Sequence, residues 1–276
     1  MNKLLIIAIA SLSAAPLTTS AADAAPPPYT LTTNVNLVTD YYFRGITQTW
    51  HKPAIQGGAD YVRASGWYAG VWGSNVSNNT YPGGSALEFD YYGGYNGKFN
   101  DDFGWTAGVH GYAYPGADFK KNAGAVAATP SVKYDTFEWN AGLSWQWISA
   151  KYSQQLTNWF GADRGTGFDG DSKGSSYLEG NIAYEFMPTW TLNVHAAHTS
   201  VKARLITPTG KLDPSYNDYL IGATKTFDGG WSVQAAYAKS SYKANAFWKP
   251  TFSLANGDSL GDPGDGRLIL TVGRTF

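Results

Sequence analysis

The chain ends in RLILTVGRTF, residues 267–276, and the reading of these ten residues decides what the rest must be. Leu268, Leu270, Val272 and Phe276 fall on one face of an extended strand. Arg267, Thr271, Gly273 and Thr275 fall on the other, with Ile269 the one large apolar residue among them. Such a strand has to cover its apolar face with a core or with lipid. In lipid nothing satisfies an open sheet edge, so the last strand would pair with the first and enclose an even number of similar strands. A β-sandwich strand that happens to close the chain would look the same over ten residues, and the upstream sequence discriminates between the two.

The opposite end is a targeting segment. Lys3 precedes the apolar run from Leu4 to Ala10, and small residues follow to Ala22. This pattern predicts a signal peptide over residues 1–22, cleaved near Ala22 or Ala24, and it is too short for a membrane-spanning helix. Residues 23–30, with their AAPPP stretch, then read as an extended leader to a barrel over 31–276. Removing the signal takes away Lys3 alone and leaves 19 basic against 21 acidic residues, a net charge of −2. That balance gives no electrostatic basis for nucleic-acid binding. The chain has no cysteine, which excludes disulfides, thiolate-bound zinc and thiol catalysis. It carries 32 glycines in 276 residues, well above the usual ~7%. With 16% aromatics, the composition suits a sheet with one face in lipid and crowded positions on the other.

Period-two alternation runs through the body of the chain. Leu31, Thr33, Val35, Leu37, Thr39, Tyr41 and Phe43 oppose Thr32, Asn34, Asn36, Val38, Asp40, Tyr42 and Arg44, predicting a strand over residues 31–44. The same pattern recurs around Leu87, Trp105, Trp139, Leu178, Trp190 and Trp231, with weaker strands near 54–63, 66–76, 150–157 and 217–227. With the terminal strand the total is twelve. Short links at 63–66, 97–102, 149–150, 188–189 and 228–230 alternate with long polar segments near 46–53, 77–85, 115–133, 158–175, 202–215 and 244–265. Periplasmic turns and extracellular loops alternate in this way, whereas a sandwich has no reason to segregate its loops. The expected fold is therefore an all-β transmembrane antiparallel up-and-down barrel, with outer-membrane lipid as its solvent.

Aromatics mark depth on that barrel. Trp67, Trp105, Trp147, Trp190, Trp231 and Phe276 all sit near short-link ends, where a girdle straddles headgroups and acyl chains. Tyr41, Phe43 and Tyr219 are expected at the opposite rim. The terminal aromatic strand also resembles the signal by which the barrel-assembly machinery receives outer-membrane proteins.

Three stretches, NVNLVTDYYFRGITQT (34–49), PAIQGGAD (53–60) and GWYAGVWGSNV (66–76), resemble the opening block of the TorF-like porin family of proteobacteria. EFDYYGGY (88–95), Tyr114-Pro115-Gly116 and YLEG (177–180) agree with further stations of that family in order and spacing. The resemblance implies an outer-membrane barrel passing small solutes, and it brings no catalytic motif and no cofactor. It departs mainly in long loops such as 158–175.

The inner face is expected to carry Asp40, Arg44, Asp60, Glu88, Asp90, His110, Glu138, Glu179, Glu185 and His195. Acids outnumber Arg44, the one clear base, and an acidic lining favours cations. A lumen plugged by pairing among these groups is the alternative, since twelve strands lie between filled barrels and open porins. A surface receptor using the long loops is a further one. An outer-membrane enzyme acting on lipids is the competing class, because His198-Thr199-Ser200 places His and Ser on one face, as in His-x-Ser phospholipases. Val201-Lys202 does not continue that motif and no residue orienting the imidazole is evident, so no catalytic residue is assigned. His51 reads as a loop residue, and the four histidines lack metal-ligand spacing. Asp163, Asp169 and Asp171, and Asp258, Asp262 and Asp265, lack the Ca²⁺-loop pattern and read as solvated loop acids, so no metal site is expected.

Segment 158–175 should face outward from the cell. A cysteine at Gly165, unique in this cysteine-free chain, should react with an impermeant maleimide on intact cells; labelling only after lysis would reverse the orientation.

Overall fold

A computed structural model describes residues 28–121, 130–242, 248 and 262–276. The expected signal peptide over 1–22, most of the leader, Asp258 and most of segment 244–265 lie outside the described residues. Twelve strands form one closed barrel: β1 (Tyr29–Val38), β2 (Ala54–Arg63), β3 (Trp67–Asn75), β4 (Leu87–Lys98), β5 (Phe103–Ala113) and β6 (Thr136–Trp145) make the first half. The second half is β7 (Ile148–Gln155), β8 (Ser176–Met187), β9 (Trp190–Ser200), β10 (Tyr216–Thr226), β11 (Trp231–Ser241) and β12 (Arg267–Thr275). Each strand pairs antiparallel with its sequence neighbour, and the terminal stretch closes the ring. Residues Asn34 to Val38 of β1 pair with Thr275 back to Thr271 of β12. Phe276 extends the seam, its amide donating to the Thr33 carbonyl at 2.8 Å.

The barrel is inside-out relative to a water-soluble protein. Leu31, Leu143 and Leu268 point outward and are 62, 60 and 65% exposed, while Glu88, Glu138 and Asp218 point inward at 0, 2 and 2%. Apolar residues standing free and carboxylates buried is the expected polarity when the outer solvent is hydrocarbon. Aromatic rings against glycines let neighbouring strands pack tightly. The Tyr92 ring lies over Gly70 on the inner wall, where any side chain would collide with it.

Two sequence expectations needed correction. The first strand ends at Val38 rather than at residue 44, and residues 39–53 turn into the lumen. Tyr41 is buried and Phe43 packs on Tyr112 and Phe160, so neither serves the lipid rim. Alternation continued past the strand because residues 42–47 form a miniature hairpin, Tyr42–Phe43 against Ile46–Thr47, which has the same period. The third short turn is Gln146–Trp147, not 149–150. Gln146 takes φ 51°, and Ser149 and Ala150 belong to β7. Trp147 therefore sits in the turn, and Trp145 takes the strand-end place, stacking on Phe103 at 6.1 Å.

Single-position parity makes the lipid face testable. Val233 faces outward at 42% exposure and its neighbour Gln234 faces inward. Val233→Arg should destabilise the barrel in bilayers by ~2–4 kcal/mol and Gln234→Arg by much less. Equal losses in urea titrations of the folded, heat-modifiable band would refute the assigned faces.

Candidate functional site

The lumen is divided by a crossbar. Segment 39–53 leaves β1, crosses the barrel and returns to β2. Asp40 organises its base: Oδ1 accepts from the Thr47 and Thr49 hydroxyls at 2.6 and 3.0 Å, and Oδ2 meets His51 Nδ1 at 2.7 Å. The tip turns through Arg44 and Gly45, both with positive φ (47° and 74°). Gly45 is required for fit as well as conformation, because a side chain there would collide with Asp218 on β10 and Ser240 on β11. Ser240 Oγ donates to the Gly45 carbonyl at 2.7 Å and fixes the tip to the far wall.

Arg44 locks the crossbar. Its Nη2 donates to both oxygens of Glu138 on β6, at 2.8 and 3.0 Å. Its guanidinium lies 4.2 Å from the Tyr177 ring on β8 and 5.0 Å from that of Phe43. Glu138 also accepts from Tyr112 at 3.1 Å and from Gln155 at 2.8 Å. Two buried charges are tolerable here because every partner oxygen is bonded; removing one would strand the other.

On the wall, register arranges the remaining ionisable groups. One cross-strand row runs Asp60, Gly70, Tyr92, His110, Glu138 over β2 to β6. Tyr92 reaches past Gly70 to donate to Asp60 at 2.7 Å, and His110 Nε2 meets Asp90 at 2.9 Å. Glu88 accepts from Tyr114 at 2.9 Å. On the opposite wall Lys151 pairs with Glu179 at 2.9 Å, and His195 Nε2 meets Asp218 at 2.9 Å. The predicted lining residues thus gather in the lumen, with two differences of position. Asp40 and Arg44 stand on the crossbar and not on the wall. Glu185 lies exposed at the short-turn rim, where Oε1 accepts from the Thr189 amide at 3.0 Å.

Sequence reading missed Lys151, so Arg44 is not the one base of the lumen. It also missed Tyr177 and Asp218, which alternation around Leu178 and Tyr219 would have placed inward. Two buried clusters form against the crossbar, its Tyr41 with Trp72, Tyr112, Tyr114 and Tyr134, and its Ile46 with Trp159, Phe168, Val201, Tyr216 and Trp248. The long-loop half of the lumen is therefore filled, while Asn34, Asp60, Tyr68 and Tyr92 in the short-turn half are partly exposed.

The chain belongs to the Gcw_chp family. That family, a bacterial protein family of unknown function, matches residues 21–276. The barrel is similar in fold to the KdgM porin solved in complex with disordered oligogalacturonate, at TM-score 0.50 and 9% identity over 89% of this chain and 98% of that one. It is also similar to the NanC porin, at TM-score 0.51 and 8% identity over 90 and 99%. No curated protein matches the sequence significantly.

The other candidate residues have structural roles. Asp163 caps the Arg164–Thr166 turn, and Asp169 bonds the Arg204 amide and Lys211. Those two contacts, the Arg204 amide first, hold the Asp169 carboxyl below its ordinary pKa. Among the described residues no group of three or more His, Asp or Glu side chains is placed to hold a metal. His198 faces outward with Nδ1 2.8 Å from Asn217 Oδ1, an orienting contact from the next strand that sequence spacing did not reveal.

Buried-pair physics predicts an asymmetry. Glu138→Gln strands the Arg44 charge and should cost ~3–5 kcal/mol, whereas Arg44→Met with Glu138→Gln should recover much of it. A double-mutant cycle measured by urea unfolding in vesicles checks this; additive losses would mean the pair is not coupled.

Proposed function

We propose that the protein is a channel of the bacterial outer membrane that passes small polar solutes and prefers cations, with segment 39–53 as its constriction. One observation carries the reading: a closed lipid-facing barrel has ionisable side chains on its inner wall, and segment 39–53, locked by Arg44, crosses it. The resemblance of 34–76 to TorF-like porins and the fold shared with KdgM and NanC support it. Long loops would face the exterior and short turns the periplasm, with the terminal strand directing assembly and residues 1–22 directing export.

Charge supports the preference. Asp40, Asp60, Glu88, Asp90, Glu138, Glu179 and Asp218 face Arg44 and Lys151, and both cations are already paired with Glu138 and Glu179. Asp60, Glu88 and Asp90 have only tyrosine or histidine partners. Buried oxygens Asp90 Oδ1 and Asp218 Oδ2 make no protein bond. The oligogalacturonate in the KdgM complex is a polyanion, and such a solute would meet repulsion here. No catalytic role is proposed, since His198 and Ser200 make no hydrogen bond to each other among the described residues.

The filled long-loop half favours one other reading, a permanently plugged barrel. Planar-bilayer recording separates the two. The wild type should give small, cation-selective steps in KCl, and Arg44→Gly should enlarge them several-fold by releasing the crossbar. Asp60→Asn should move the reversal potential toward zero in a salt gradient. Silence of both the wild type and a folded variant lacking residues 42–47 would leave only the plugged barrel.

A further inference from the structure

We propose that the short-turn rim of β10–β12 binds the phosphate of an anionic phospholipid headgroup and so fastens the barrel's closing seam. Lipid-facing rim positions are unequal around the ring. On β3, β5, β6, β8 and β9 they are Trp67, Phe103, Trp145, Phe186 and Trp190, all apolar rings. On β2, β10 and β12 the same rim carries Arg63, Lys225 and Arg274, three cations confined to the arc that contains the seam.

Two of these cations are held in place. Arg274 Cζ lies 5.2 Å from the Trp231 ring centroid and 4.6 Å from that of Phe276, and its Nε donates to the Gly229 carbonyl at 3.2 Å. Lys225 Nζ lies 5.2 Å from Trp190 and 6.0 Å from Phe227, and donates to Thr189 Oγ1 at 2.5 Å. Ring faces hold a cation while leaving its remaining N–H groups free to donate. Among the described residues no carboxylate forms an ion pair with either side chain. Two strand spacings, about 10 Å, separate β10 from β12, and the register sets Lys225 level with Val233 and Arg274 level with Trp231. The two cations therefore stand on either side of Trp231 of β11, where a headgroup meets positive charge from both strands.

A lipid phosphate fits this arrangement better than a free anion. Both cations lie on lipid-facing positions at girdle depth, beside rings that prefer the boundary of headgroup and acyl chain. A net anionic headgroup suits two unpaired cations, whereas a zwitterionic one brings its own ammonium. Arg274 also lies within the seam, pairing in register with Val35 of β1. A headgroup held there anchors the closing strand where β1 and β12 meet over Asn34–Val38 and Thr271–Thr275.

The inference rests on the membrane placement proposed above but not on conduction, so a silent yet folded barrel leaves it intact. Tryptophan quenching by brominated lipids tests it, with Trp190 and Trp231 as reporters beside the site. Wild-type barrel in mixed vesicles should be quenched several-fold more effectively by dibromo-phosphatidylglycerol than by dibromo-phosphatidylcholine. Lys225→Gln with Arg274→Gln should bring the ratio to one while the heat-modifiable folded band persists in phosphatidylcholine. Arg274→Lys, which keeps the charge, should retain most of the preference. Equal quenching of the wild type by both lipids, or an undiminished preference in the doubly substituted barrel, overturns the proposal.

Discussion

Hydrocarbon offers no hydrogen-bond partner, and that constraint organises the whole chain. Each backbone amide and carbonyl crossing the membrane must find its partner inside the sheet, at several kcal/mol for each one left open. Twelve strands meet this requirement only if the last returns to the first. Thr33 to Val38 and Thr271 to Phe276 make that return. Apolar side chains then face outward at no cost, and polar ones have only the lumen left to occupy.

Closure creates a second problem, which the crossbar addresses. An acid-rich lumen concentrates like charge, and each carboxylate has to find a proton donor or a cation. Thr47, Thr49 and His51 surround Asp40, Tyr92 meets Asp60, His110 meets Asp90, and Arg44 meets Glu138. The loop therefore supplies both a physical obstruction and part of the lumen's charge balance. One contact serves both purposes: Arg44 holds the segment across the lumen and balances the Glu138 charge.

The two rims divide other duties. At the long-loop end, aromatics pack inward against the loops and fill the lumen. At the short-turn end Trp67, Trp105, Trp190, Trp231 and Phe276 lie on the outward faces of their strands. The same residue types thus pack inward as core at one end and stand on the outer face at the other. Arg63, Lys225 and Arg274 break the symmetry of the outer ring at the seam.

By itself the sequence determined the strand number, the antiparallel order, the parity of the strand faces and the terminal closing strand. These follow from side-chain parity and loop length, both local properties. The reach of residues 39–53 was not legible, because an inward hairpin keeps the period of the strand it follows. Only the tertiary structure decided that Arg44 meets Glu138, 94 positions away, and that Tyr92 donates to Asp60 across Gly70. The same holds for Asn217 beside His198 and for Lys151 opposite Glu179. Parity gives the face of a strand on which a residue lies. Which residues meet across the lumen depends on register and on the path of a loop through space, and neither leaves a periodic trace in the chain.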